Sequence, residues 1–432
     1  MGAINSRLMP KAERPDPTVL VRNAGLSFQG SVVLGMGFTL TPDERDALVQ
    51  RNRANAQRIF PYLGGEEVNT SPTQSHDRYV INFGQMSLEE AEHWPDLMRI
   101  VRERVEPERR TNNRQNYRER WWRFGEARPG LYAAISPLQR CLVTARVTKH
   151  LCFSFQPTNR VLNEKLYVFP FAHHTPFAIL QSRIHEAWVR LLSSTLKTDL
   201  NYSASDCFET FPFPNPDPRT LFGALEAIGQ ALYDARAQLM LDTEKGLTKT
   251  YNDLKDPACK DARIFALRTQ HEALDRAVLD AYGWGNVPVP PFCPTNDAER
   301  ERLQAFKDDV IDRLFVLNAE RAALEGSSAA PSPRGRRRRE PAAQTLRGTD
   351  ASETETPPDA PRPLAKTHPR RAAAATDAAA NDTRGPSSSS LDPRRSTPPG
   401  KPPPSSRRRK TPISDPPSPK RAARSGRGGS RS

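Results

Sequence analysis

The stretch CLVTARVTKHLCFSFQ, residues 141–156, decides how this chain is read. Its odd positions are Cys141, Val143, Ala145, Val147, Lys149, Leu151, Phe153 and Phe155, apolar with one exception. From 144 onward its even positions are Thr144, Arg146, Thr148, His150, Cys152, Ser154 and Gln156. A period of two held this long predicts a half-buried β-strand, or a bent pair of strands, with the even face toward solvent. That face interleaves short hydroxyls with Arg, His and Gln. Such side chains reach base edges: Arg pairs with guanine, Gln with adenine, and a Thr methyl meets thymine. The competing reading is an ordinary sheet face that meets only water.

Upstream, Arg114, Arg118, Arg120 and Arg123 surround Tyr117, Trp121 and Trp122. Cations interleaved with aromatics can clamp a phosphate backbone and stack on it. The alternative is a helix with a Trp core face and a solvated Arg face. Adjacent Trp121 and Trp122 cannot share one helix face, which favours a functional surface.

Around these segments, residues 20–215 read as mixed α/β. Ser27–Leu40 is strand-like with glycines at 30, 35 and 37. Pro42–Gln57 and Ser87–Arg109 read as helices, with a short strand at Arg78–Phe83 between them. Thr175 caps a helix, Pro176 suits its first position, and Phe177, Leu180, Ile184, Trp188 and Leu191 form its buried stripe. Residues 216–326 read as a small helical bundle. One helix carries Leu221, Leu225, Ile228, Leu232 and Leu239; a second carries Leu267, Leu274, Val278 and Tyr282 and stops at Gly283. A third starts at a Thr295 or Asn296 cap and runs through Leu303, Phe306, Val310, Leu314 and Leu317.

Charge has to be located before it is interpreted. From Ser327 to Ser432 there are 23 Lys+Arg and 9 Asp+Glu, a balance of +14, which equals the net charge of the whole chain. Residues 1–326 therefore carry no net charge, and the global excess says nothing about a folded DNA-binding surface. The tail also holds 19 of the 41 prolines and the Arg336–Arg339 and Arg407–Lys410 blocks. With so few large apolar residues it is expected to be disordered, either a nonspecific phosphate-binding arm or a solvated segment without a defined role. Five widely spaced cysteines without a C-x-x-C pair suggest neither a disulfide frame nor a zinc site. No apolar leader and no run near 18 apolar residues is present, so the expectation is a reduced, cytoplasmic protein without a membrane partner.

Catalytic signatures are not recognisable. Asn215-Pro216-Asp217-Pro218 lacks an aromatic and Val289-Pro290-Pro291-Phe292 lacks a polar head, so neither makes the tetrapeptide that holds a flipped adenine. Gly35-Met36-Gly37 is a lone G-x-G without the acidic context of a cofactor loop. Asp242-Thr243-Glu244-Lys245 falls on a predicted long helix and makes a poor nuclease site. Adjacent His173 and His174 point to opposite faces of a strand and make a poor metal site.

Six strings do carry a resemblance: FQGSVVLGMGF (28–38), RIFPYLGGE (58–66), RYVINF (78–83), TARVTKH (144–150), SRIHE (182–186) and YSASDCFETFPFP (202–214). In this order they resemble the region after the methyltransferase domain in MmeI-like type IIL and IIG restriction–modification adenine-specific DNA methyltransferases. YNDL (251–254) and HEALD (271–275) are similar to the family's C-terminal helical domain. The resemblance implies an α/β (α+β) DNA target-recognition domain over 20–215, preceded by a junction at 1–19. A helical domain over 216–326 and a disordered basic tail over 327–432 follow.

It further implies that the recognition role falls on this α/β region, where the candidate contacts to double-stranded DNA are Arg114, Arg118, Arg120, Arg123, Thr144, Arg146, Thr148, Lys149, His150, Ser154 and Gln156. No cofactor is expected in this chain. S-adenosylmethionine would sit on the missing methyltransferase domain or on a separately encoded methyltransferase subunit. An inactive truncated remnant and a protein-interaction scaffold are the alternatives.

Overall fold

The computed structural model describes residues 16–196 and 199–328. The expected disordered tail, apart from the helix end at Ser327 and Ser328, and most of the 1–19 junction lie outside the described residues.

The 141–156 stretch is the bent pair. Arg140–Ala145 and Phe153–Pro157 are antiparallel neighbours with Cys141 opposite Gln156, Val143 opposite Ser154 and Thr144 opposite Phe153. Each facing pair joins an odd to an even position. The odd apolar positions of one arm therefore share a face with the even polar positions of the other, and a single alternation cannot mark one solvent face. Both faces are covered. Phe153 packs on the rings of Phe169, His185 and Tyr202, and Phe155 on those of Phe177 and Tyr233. On the other face Ser154 Oγ donates to Gln74 Oε1 at 2.7 Å.

The hairpin belongs to a four-stranded antiparallel sheet in the order Phe28–Gln29, Leu166–Phe169, Arg140–Ala145, Phe153–Pro157. A second sheet runs Thr39–Leu40, Arg78–Ile81, Ile59–Leu63, Val161–Leu162, with only the last pair parallel. A three-stranded ribbon joins Ser194–Leu196, Asp199–Asn201 and Val147–Thr148. The mixed α/β region followed by helices is thus the observed architecture.

Local chemistry explains where the elements differ from the periodicity. Ser27–Leu40 is not one strand: Phe28–Gln29 and Thr39–Leu40 pair at its ends, Ser31 and Val32 make isolated bridges, and Leu34 and Gly35 adopt positive φ, 60° and 94°, and turn the chain. Ser87–Arg109 breaks into Leu88–Ala91, Pro95–Arg104 and Glu106–Arg110; Pro95 and Pro107 each sit in the first turn of a new helix. Pro42–Arg51 is held by a Thr41–Glu44 capping box and gives way to a 3-10 turn. The Thr175 helix is two helices, His174–Gln181 and Arg183–Leu192. Ser182 between them is extended, and its side chain caps the second. Four of the five expected stripe positions, Phe177, Leu180, Ile184 and Trp188, are fully buried across that break, while Leu191 is half-buried.

Four helices follow: Gly223–Thr243, Leu247–Leu254, Ala262–Ala281 and Asp297–Ser328. Gly283 takes φ 74° just beyond the third, and Asn296 Oδ1 accepts from Glu299 N to cap the fourth. Glu244, at φ 52°, lies past the end of its helix rather than on it.

Two cores result. The larger runs from Leu26 through the central sheet to Leu314 in the last helix. The smaller gathers Phe38, Val80, Leu97, Val101, Trp121 and Trp122. Cys141 and Cys152 are buried free thiols whose pKa burial pushes up to about 12, so they act as inert core groups. Among the described residues no helix is long and apolar enough to cross a membrane.

Candidate nucleic-acid interface

Arg146 sits at the corner where the central sheet passes into the ribbon. Its N–H donates to Lys165 O at 2.8 Å, and its carbonyl accepts from Tyr202 N at 2.8 Å. The backbone is held on both sides while the side chain is exposed. Lys149, two positions past Val147, and Lys165, on the neighbouring turn, are exposed as well. None of the three side chains makes an ion pair or hydrogen bond among the described residues. A rigid backbone presenting unpaired cations is what phosphate and base-edge contact requires.

The remaining polar residues of the stretch are not on a solvent face, and that expectation is corrected. Thr144, Thr148, His150, Ser154 and Gln156 are all buried. Thr144 Oγ1 donates to Cys152 O and Thr148 Oγ1 to His150 O, each at 2.8 Å. His150 Nε2 lies 2.9 Å from Asn252 Oδ1, and burial lowers its pKa to about 4. Gln156 Nε2 donates to Ser154 Oγ at 3.2 Å, while Arg160 Nη1 donates to Gln156 Oε1 at 2.8 Å. These groups tie the hairpin to what covers it. Short polar side chains tolerate burial when each finds a partner.

The upstream cluster also divides. Trp121 and Trp122 are both buried and meet edge to face, with ring centroids 5.9 Å apart. They lie in a turn, not a helix, so adjacency does not force one outward. Trp122 Nε1 and Arg123 Nε both donate to Met86 O, at 3.0 and 2.8 Å. Arg114 stacks on Tyr117, and Arg118 Nη1 donates to Asn112 O at 2.7 Å. Arg114, Arg118 and Arg120 remain exposed on the smaller core. No contact joins them to Arg146 among the described residues.

Lys165 also lines a cleft of about 350 Å³, formed with Val32–Met36, Tyr62, Gly64–Glu67, Arg78, Asn163 and Glu164. Tyr62 is buried at its floor, its hydroxyl hydrogen-bonded to Asn163 and its pKa raised by burial to about 12. Arg78 is paired with Glu67. With Glu66, Glu67 and Glu164 along it, the cleft is mixed in charge, and Lys165 is its free cation at the rim. The Val32–Met36 wall is fixed from below by buried Arg109, whose Nη2 donates to Val33 O at 2.9 Å and Leu34 O at 3.1 Å. Lys165 and Arg109 carry no pattern in the sequence; only the pairing of distant strands places them.

The G-x-G at 35–37 is closely packed by its surroundings. A side chain at Gly35 would meet Glu108 Oε2 at 2.8 Å, and one at Gly37 would meet Arg104 O at 2.7 Å. These glycines let the backbone pass close to a helix pair. Among the described residues no cluster of three or more His, Cys, Asp or Glu could hold a metal ion.

Residues 24–215 match the family described as the MmeI target recognition domain. A 122-residue segment is 33% identical to DNA methyltransferase A of Bacillus subtilis (strain 168), covering 28% of this chain and 12% of that protein. The fold resembles the type IIL restriction–modification enzyme MmeI solved in complex with DNA, with a TM-score of 0.50 and 17% identity. That match covers 74% of this chain and 39% of the MmeI chain, so this chain spans well under half of either relative. The segment from 24 to 215 is accordingly similar to the MmeI target recognition domain, and the MmeI structure shares its fold.

Proposed function

We propose that this chain is the sequence-specific, duplex-DNA recognition part of a site-specific adenine-N6 methyltransferase in a cytoplasmic restriction–modification or phage-defence system. Methyl transfer from S-adenosylmethionine is assigned to a separate methyltransferase domain or subunit. The observation that carries the reading is the corner at Arg146, where exposed cations without partners stand on a backbone fixed from two sides. Lys149 and Lys165 would contact phosphates and set the register, leaving the Arg146 guanidinium to reach a guanine edge. Arg114, Arg118 and Arg120 would extend the phosphate footprint over the smaller core.

The test is titration of the full chain with random and site-enriched duplexes, with and without the methyltransferase protein. Binding should show a preferred sequence. Replacing Arg146 by Ala should reduce discrimination at one base pair by about 1–3 kcal/mol. Absence of binding under all conditions at low salt would refute the proposal.

A further inference from the structure

A second group of cations lies on the helical side. The helix Arg183–Leu192, the segment after Leu247–Leu254 and the helix Asp297–Ser328 enclose a cleft of about 370 Å³. Glu186 lies in it, and its Oε1 accepts from Arg190 Nε at 2.8 Å and from Lys255 Nζ at 2.9 Å. Burial pushes this carboxyl up, but the two cations more than offset that and hold it well below the usual carboxylate range. Arg183 also faces the cleft, yet Asp275 neutralises it and the carbonyls of Pro290 and Pro291 occupy its Nη atoms.

Lys307 is the exception. Half-buried in the same cleft, it makes no ion pair or hydrogen bond among the described residues. Burial lowers its pKa, as desolvation of an ammonium without its own counter-ion does. Among the residues lining the cleft, with Arg183 paired to Asp275, Arg190, Lys255 and Lys307 thus set three cations against one carboxylate, an excess of two positive charges.

We propose that this cleft is a phosphate-binding site, with Lys307, Lys255 and Arg190 as its ligands and the Phe292 ring as its apolar wall. Cations converging from three elements suit a group with several oxygens in a compact tetrahedron, and the excess charge equals that of a phosphate monoester. Two sources carry this chemistry. One is a free phosphate ester. The other is the backbone of the duplex proposed above to lie on Arg146 and Lys149, since His150, next to Lys149, is hydrogen-bonded to Asn252, three residues before Lys255. Only the second source rests on the DNA reading.

The experiment uses the full chain and Lys307→Gln, which should fold normally because Lys307 has no partner to lose. Thermal stability is followed against inorganic phosphate, with chloride at equal ionic strength as the control, and binding of a random duplex is followed against salt. A saturable rise in Tm specific to phosphate, weakened about tenfold in Lys307→Gln, would establish the site for a free phosphate group. A fall of about one in the DNA salt slope of the variant would establish it for the duplex backbone. If Lys307→Gln changes neither phosphate binding nor salt slope, the proposal is overturned, whatever becomes of the DNA reading.

Discussion

Residues 144–156 include two kinds of polar side chain, and a pair of substitutions separates them. Ser154 Oγ donates to Gln74 and accepts from Gln156, inside the protein. Ser154→Ala leaves the buried Gln156 amide and the half-buried Gln74 amide each short of a partner and should destabilise the fold by about 1–3 kcal/mol in urea denaturation. Its DNA preference should be unchanged. Arg146→Ala should do the reverse, leaving the urea midpoint within error while flattening sequence preference. A variant pair that behaves identically in both assays would remove the distinction between buried tie and exposed reader. The two residues look equivalent in the alternating string; the hairpin register separates them.

Among the elements, the joint between Arg183–Leu192 and Ala262–Ala281 is the most exacting. Asp275 is buried and accepts from Arg183 N at 2.8 Å as well as from its guanidinium. The same arginine reaches the carbonyls of Pro290 and Pro291 and so pins the turn before the last helix. Asp275→Ala would strand a buried guanidinium. It is expected to destabilise the fold by about 3–5 kcal/mol, measured as a shift in denaturant midpoint. Helix positions were legible from apolar spacing because burial of one face is written into the sequence at 3.6-residue intervals. The Ser182 break was not, since Phe177, Leu180, Ile184 and Trp188 keep that spacing across it.

Across the whole molecule, four buried imidazoles contribute to the response to acid, and burial lowers His174 along with the three most shifted. Burial holds His150 at about 4, and His185 and His271 at about 3, below the ordinary value of 6.5. Each is neutral when folded and takes up a proton more readily when unfolded. Stability is therefore complete above about pH 6.5 and falls toward pH 4 and below, by at most about 1.4 kcal/mol per pH unit for each group. Tm measured from pH 7.5 down to 5 should drop accordingly. His185→Phe, which keeps an aromatic ring among Phe153, Tyr202 and Phe211, should make the drop shallower. An unchanged slope would show that His185 does not contribute to it.

The sequence by itself determined the order of the parts: an α/β region, then helices, with the charge excess confined to residues 327–432. Those properties are local, carried by the spacing of apolar residues and by composition, and need no knowledge of distant partners. Which polar side chains of the 141–156 stretch meet solvent was decided only by tertiary structure. Alternation records the chemistry of a strand's two faces, whereas exposure depends on what folds over them. The odd-to-even pairing of Cys141 with Gln156, and the cover on both faces, bury Thr144, Thr148, His150, Ser154 and Gln156. Arg146 alone of the even face stays open, with Val147 and Lys149 exposed beside it at the corner.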